Sequence, residues 1–348
     1  DPDLPRKIAA GRENEIIHCV ACAQGCFDHL FNLQPVECLC NPRAGHESER
    51  GIEAAPAPRK VLVIGGGPAG MTAAATAAQR GHRVTLCEKE EILGGQLLLA
   101  GLPPGRDEFQ VLARDLEAQL AAAGVAEVRM GVTVDEAFLD RERPDAVILA
   151  TGAEEWAPPL DGADLPHVVG AWDVLRDRVQ TGPRVVIIGG GAVGVETALF
   201  LAEKGTLSGD MVRFLLINRA EPLEDLYELA TRGTKDVTLV EMLDRIGPDI
   251  GRSTRWGMLQ DLDRHHVKTL AKTRARAITP TAVVVEDAQG TREIPADSVV
   301  LALGSRSYNP LEVPVRERGL PYQVIGDARK VAKALDAIHE GFEAGARL

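Results

Sequence analysis

The chain has 348 residues, enough for two or three domains with real hydrophobic cores. Its 39 Lys and Arg against 51 Asp and Glu leave a formal charge of −12, which argues against nucleic acid and anionic membrane as partners. No apolar run reaches the length of a membrane span, no secretory leader is recognisable, and four of the six cysteines crowd into residues 19–38, favouring a metal site in a reducing, cytoplasmic setting over disulfides. The opening, DPDLPRK, has no initiator Met and reads as a processed piece, a fragment, or a subunit with an unusual start.

In chain order, a short polar helix is expected from Pro5 to Ile17. Next comes HCVACAQGCFDHLFNLQPVECLCNPRAGHE, in which Cys19, Cys22 and Cys26 have C-x2-C-x3-C spacing and Cys38 follows after eleven residues. Three closely spaced thiolates with a fourth from the returning chain suit a [4Fe–4S] cluster. A structural zinc knuckle is the competing reading, but zinc usually takes two short Cys pairs and only one is clear here. Cys40 is a spare thiol that could exchange roles with Cys38. His18, His29 and His46 are expected to be surface residues, since four thiols complete the site. Residues 51–59, GIEAAPAPR, form a linker.

The stretch from 60 to 96 reads as strand, glycine turn, helix, strand. Val61–Ile64 is a buried parallel strand by composition. Gly65, Gly67 and Gly70 follow at G-x-G-x-x-G spacing, with Pro68 and Ala69 opening a helix that runs to Gln79. The first glycine allows the turn, the second lets a pyrophosphate approach the backbone, and the third lets helix and strand pack closely. The helix N-terminus then faces the pyrophosphate. A second strand, Arg83–Cys87, ends at Glu88, placed for a ribose hydroxyl, with Lys89 beside it. Gly94, Gly95 and Gln96 make a backbone-exposing turn near the rest of a dinucleotide. A helix over 106–123, a strand from Glu127 to Gly131, and a strand from Asp145 running into Thr151 and Gly152 complete this part.

The pattern then repeats. RVVIIGGGAVGVETALFLAE, residues 184–203, carries Gly189, Gly191 and Gly194. Two such units imply two dinucleotides, as a flavoprotein reductase requires. Residues 206–235 intervene as an insertion, with an apolar run at Phe214–Ile217 and a helix near Glu221–Thr231. The expected second strand, Val237–Glu241, follows. Glu241 would accept from a free 2′-hydroxyl and repel a 2′-phosphate, which favours NADH over NADPH. A helix is expected over 252–265, and strands at Val267–Leu270, Ala282–Glu286 and Val299–Leu303. A last strand runs into Gly326 and Asp327 before an Ala-rich helix, Lys330–Ala346. Asp327 suits flavin ribityl hydroxyls as well as a helix cap.

Together, the cysteine run followed by NPRAGHE, the two glycine units and the terminal Gly-Asp resemble the iron–sulfur flavoenzymes of the Old Yellow Enzyme type: 2-enoate reductase, 2,4-dienoyl-CoA reductase and trimethylamine dehydrogenase. The resemblance covers essentially the whole chain as the C-terminal half of such enzymes, and the insertion with VTLVEMLDRIGPDIGRSTRW is most similar to the 2-enoate reductase branch. It implies an α/β fold of two nested nucleotide-binding domains of the disulfide-reductase type. The expected arrangement is a cluster segment at 1–50, an FAD domain at 51–153 and 305–348, and an NAD(P)H domain at 154–304. It implies FAD on Gly65, Gly67, Gly70, Glu88, Gln96 and Asp327, NADH on Gly189, Gly191, Gly194 and Glu241, and the cluster on Cys19, Cys22, Cys26 and Cys38. It further implies that electrons pass to FMN in a TIM-barrel domain or subunit, absent here, that reduces an enoate or a CoA thioester. No residue of this chain is expected to act as a general acid or base, and an oligomer is expected. A stand-alone NADH-dependent electron-transfer subunit and a zinc-stabilised nucleotide-binding module are the rival readings.

Overall fold

The computed structural model describes residues 1–348, which divide into two compact units: residues 1–101, 105–154 and 305–348, and residues 102–104 and 155–304. In the first unit, α1 (Leu4–Ala9) and α2 (Phe27–Phe31) lie in the cysteine segment. Then come β1 (Lys60–Ile64), α3 (Pro68–Gln79), β2 (Arg83–Cys87), α4 (Gln96–Ala100), α5 (Glu108–Ala122), β3 (Glu127–Arg129), α6 (Glu136–Glu142) and β4 (Ala146–Leu149). After β5 (Ala153–Glu155), the second unit contributes β6 (Val168–Gly170), α7 (Ala171–Leu175), β7 (Arg184–Ile188), α8 (Ala192–Ala202), α9 (Gly209–Asn218) and α10 (Leu223–Thr231). It continues with β8 (Asp236–Val240), α11 (Arg252–Arg264), β9 (Lys268–Leu270), β10 (Arg274–Thr279), β11 (Ala282–Asp287), β12 (Gly290–Pro295) and β13 (Ser298–Leu301). The chain returns to the first unit through β14 (Ser305–Ser307), α12 (Glu312–Glu317), β15 (Tyr322–Val324) and α13 (Ala334–Ala346).

Each unit is built on a five-stranded parallel sheet. The first has order β15-β4-β1-β2-β3 and the second β6-β13-β7-β8-β9. The β-branched runs VLVI and VVII are buried because helices cover both faces of a parallel sheet. In the first unit one face packs Val61, Val63 and Ile148 against α3, α5 and α13; the other packs Leu62, Ile64 and Leu149 against Phe138 and Val315. Helix α13 meets α3 almost backbone to backbone. A Cβ at Gly341 would lie 2.3 Å from the Ala69 carbonyl oxygen, so only glycine permits this contact. That packing holds the last helix beside the glycine turn.

Several sequence-based bounds shift. The N-terminal helix stops at Ala9 and is followed by a short 3₁₀ turn, Glu13–Glu15. The last helix starts at Ala334, capped by an Asp336 side chain that accepts from the Lys333 N–H. The apolar run at 214–217 lies in helix α9. The strands flanking β11 were not expected from the sequence. β10 and β12 pair antiparallel with it to form a three-stranded sheet, and their polar, largely exposed RARAIT and GTREIP lack the apolar run that identifies a buried strand.

Candidate nucleotide and cluster sites

In the first unit the glycine turn is a close-packed frame. Gly65 has φ +111°, and a Cβ on Gly70 would lie 1.9 Å from the Gly65 carbonyl oxygen. The side of Gly67 where a Cβ would stand is open. A ligand atom has room on that side of Gly67, next to the start of α3, and the unpaired N–H groups of a helix N-terminus are a seat for anionic oxygens. Glu88 at the end of β2 is buried. Its Oε2 accepts from the Gly66 N–H at 2.6 Å and its Oε1 from the Glu90 N–H at 2.9 Å. The acid thus fixes the turn, and each carboxylate oxygen retains a further lone pair for a ribose hydroxyl.

Gln96 and Asp327, 231 positions apart in sequence, meet here: Gln96 Nε2 donates to Asp327 Oδ2 at 2.9 Å. Asp327 Oδ1 accepts from the Ala332 N–H at 3.1 Å. Burial pushes the Asp327 carboxyl above its ordinary value, opposed by these two hydrogen bonds. Thr151 Oγ1 donates to the Tyr308 carbonyl at 2.5 Å, and the Tyr308 N–H donates to the Gly152 carbonyl at 3.0 Å. Lys89 Nζ lies 6.0 Å from the Tyr308 ring centre. The Gly95 backbone lies close over Gly67, a Cβ there falling 3.0 Å from the Gly67 Cα.

The second unit repeats the frame almost atom for atom. Gly189 has φ +110°, and a Cβ on Gly194 would lie 1.8 Å from the Gly189 carbonyl oxygen. Buried Glu241 accepts from the Gly190 N–H and the Leu243 N–H, each at 2.7 Å. One residue departs from the copy. Asp249 accepts from the Ala192 N–H at 3.0 and 3.1 Å through its two oxygens, beside Gly191 at the start of α8. Sequence reasoning missed Asp249, and also Glu340, whose Oε2 accepts from the Gly326 N–H at 2.8 Å. Setting the loop LGGQ at 93–96 against IGPD at 246–249 would have found the former.

In the cysteine segment Cys22 and Cys38 are half-buried, Cys19 and Cys26 exposed, and Cys40 buried. Burial first, and then the neighbouring thiols Cys26, Cys38 and Cys19, raise the Cys22 thiol, so the four share one electrostatic neighbourhood. No three His, Cys, Asp or Glu side chains are close enough together to hold a single metal ion. A hydrogen bond with Cys40, with help from the backbone N–H groups of Cys40 and Asn41, lowers the Cys38 thiol to about 5. Its hydrogen bond with Cys38 and its burial push the Cys40 thiol the opposite way, upward. The loop is tied to the first unit by His339 on α13, whose Nε2 donates to the Cys38 carbonyl at 2.9 Å. The nearby histidines have ordinary partners: His18 sits 3.0 Å from Asp115, His29 bonds the Pro35 carbonyl, and His46 lies 3.3 Å from Glu37.

The fold and these paired frames define a two-dinucleotide oxidoreductase. The sequence matches the pyridine nucleotide-disulphide oxidoreductase family over residues 59–327, and the chain belongs to that family. It is 43% identical over 351 residues to a metal reductase of Desulforamulus reducens, covering 98% of this chain and 52% of the relative. It is 39% identical to an NADH oxidase of Thermoanaerobacter brockii, covering 99% and 49%. A solved 2-naphthoyl-CoA reductase in complex with 2-naphthoyl-CoA superposes on the whole chain with a TM-score of 0.87 at 30% identity, using 49% of its own length. The chain thus spans about half the length of the relatives it matches. The resemblance to the 2-enoate reductase and NADH oxidase group of iron–sulfur flavoenzymes therefore holds, and the family brings FAD and a nicotinamide nucleotide. No helix is long and apolar enough to cross a membrane.

Proposed function

We propose that this chain is the NADH-oxidising, electron-relaying part of an iron–sulfur flavoenzyme. The observation that carries the reading is the presence, in one chain, of two complete glycine frames, each with a buried strand-end carboxylate fixed on its turn. The first frame, with Gln96 and Asp327, would hold FAD through the α3 N-terminus, Glu88 and the Asp327 carboxylate. The second would hold NADH, with Glu241 accepting from the adenosine ribose and disfavouring a 2′-phosphate. Cys19, Cys22, Cys26 and Cys38 would hold a [4Fe–4S] cluster, a reading supported by the C-x2-C-x3-C spacing with a fourth thiol from the returning chain, where zinc would favour two short Cys pairs. When bound, the groups supply hydride acceptance at the flavin and one-electron transfer at the cluster. The protein's own part is position and electrostatics, with no general base needed.

The half-length match supports an acceptor outside these residues: FMN in a barrel domain or partner subunit that reduces the activated C=C bond of an enoate or of an enoyl- or aryl-CoA. Reduction of such a bond needs a hydride donor and a proton source beside the substrate, and no residue of this chain is assigned either role. The purified chain should reduce ferricyanide or a viologen dye with NADH, and should consume no enoate or enoyl-CoA until the FMN barrel is added. Enoate turnover with FMN shown to be absent would overturn the relay. Cys22→Ser should remove cluster iron and its reduced-state EPR signal while leaving FAD; retained iron would refute the ligand assignment.

A further inference from the structure

Helices α9 and α10 form the part of the second unit that neither nucleotide reading uses. They are an antiparallel hairpin: the four residues 219–222 join them, and the Leu207 N–H just before α9 donates to the Leu229 carbonyl near the end of α10 at 2.9 Å. Ser208 caps α9 by accepting from the Met211 N–H, so the helix is well formed. Yet α9 has no buried residue at all, although its sequence is GDMVRFLLIN. Phe214 and Ile217, spaced i, i+3 on one face of α9, are 60% and 67% exposed. Leu223 and Tyr227, spaced i, i+4 on α10, are 68% and 54% exposed. Large apolar side chains grouped on a hairpin mark an interaction surface.

Charge says what covers it. On α9 and its C-cap, Arg213 and Arg219 form no ion pair; on α10 and just before it, Glu221, Glu224 and Asp225 form none either. The C-terminal part of α9 thus presents free cations, its one acid, Asp210, lying in the first turn, and the N-terminal part of α10 presents free anions. A two-fold axis across the hairpin would lay α9 of each copy against α10 of the other, matching both charge sets twice while burying the apolar stripes. We propose that the α9–α10 hairpin is an isologous dimer interface, and that its occupant is the same hairpin of a second copy of this chain, closing a four-helix bundle. This goes beyond the electron-relay reading and does not depend on it.

Sedimentation equilibrium of the intact chain, whose mass is 37.3 kDa, should give twice that mass at micromolar concentration. Phe214→Glu combined with Ile217→Glu should give the single-chain mass with an unchanged circular dichroism melt, since both side chains are exposed. Arg213→Glu with Arg219→Glu, and separately Glu224→Lys with Asp225→Lys, should each weaken self-association roughly tenfold or more. Mixed in equal amounts, these two charge variants should recover the dimer, because each α9 then faces an oppositely charged α10. A wild-type chain that stays at 37.3 kDa, a dimer that survives the Phe214 and Ile217 changes, or a mixture that fails to associate would each overturn the interface. So would protection of the hairpin only when an FMN-barrel partner is added, which would make that partner the occupant.

Discussion

In the first unit the loop after the second strand carries Leu93, Gly94, Gly95 and Gln96 over the glycine turn; in the second, Ile246, Gly247, Pro248 and Asp249 follow the same path. The Gly94 N–H donates to the Gly66 carbonyl at 2.9 Å and the Gly247 N–H to the Gly190 carbonyl at 2.6 Å. Leu93 packs beside Gly66 as Ile246 packs beside Gly190. The fourth residue is where the copies part. Gln96 turns away to Asp327, whereas Asp249 closes on the first N–H of α8. In the first unit that helix position is Pro68, which has no N–H to offer and whose fixed φ suits a helix start. A carboxylate at the positive end of a helix is electrostatically a stand-in for a phosphate oxygen. Under the proposed assignment, the frame that would retain FAD leaves its anion seat uncovered. The frame that would exchange NADH for NAD⁺ carries its own displaceable anion.

The largest expected effects come from filling the two close approaches. Gly70→Ala would put a Cβ 1.9 Å from the Gly65 oxygen, and Gly194→Ala one 1.8 Å from the Gly189 oxygen. Overpacking against backbone costs about 1–3 kcal/mol or more. Gly70→Ala should abolish flavin retention while NADH still binds. Gly194→Ala should retain flavin and lose NADH binding. Flavin content per chain and an NADH titration measure both, and equal loss of both ligands in either variant would break the two-site comparison.

Next come the strand-end acids. Glu241→Ala strands two loop N–H groups and removes the ribose acceptor, a loss of about 1–3 kcal/mol. The KM for NADH should rise, the gap to NADPH should narrow, and flavin content should not change. A wild type that already prefers NADPH would contradict the role given to Glu241.

Much of this frame was legible in the sequence because it is local. A strand, three glycines, a helix and an acid at the end of the next strand lie within about thirty residues, and each glycine has its own steric reason. The bounds of α3 and β2 emerge as expected for that reason. Gln96 and Asp327 are each legible from their own local motif, and the fold brings them together. What escaped depends on long-range placement. Asp249 reads as one acid among many until the two loops are superposed. Glu340 lies mid-helix and reaches Gly326 only because α13 packs on α3. The strands β10 and β12 were hidden because polar, largely exposed strands carry no apolar run, and their pairing with the buried β11 supplies the order their composition does not announce.

A smaller effect tests the difference between the loops directly. Asp249→Asn keeps a side-chain oxygen for the Ala192 N–H but removes the charge that competes with a pyrophosphate. Charges at helix ends are worth about 0.3–1 kcal/mol, so NADH should bind roughly two- to fivefold more tightly. The gain should shrink as salt is added, because this site is exposed and screened. Unchanged or weaker NADH binding at low salt would show that Asp249 does not oppose the nucleotide.

The smallest effect concerns the other side of the comparison, the Gln96–Asp327 pair. Burial raises the folded Asp327 carboxyl above its unfolded value, which is about 3.9 for an ordinary aspartate. The folded chain therefore holds this proton more tightly than the unfolded chain. Its contribution is most favourable below the unfolded value, declines as pH rises through the window up to the raised folded value, and is constant above it. Urea midpoints of the flavin-free chain, followed upward from about pH 4, should show this decline, and Asp327→Asn should flatten it. Flavin sharpens the test. Ribityl hydroxyls donating to the ionised carboxylate would favour its charged form and lower its pKa, offsetting burial. The pH step that Asp327→Asn removes should therefore be smaller in the flavin-loaded chain than in the flavin-free one. A step of the same size in both would mean that Asp327 only caps the turn through Ala332 and never meets the cofactor.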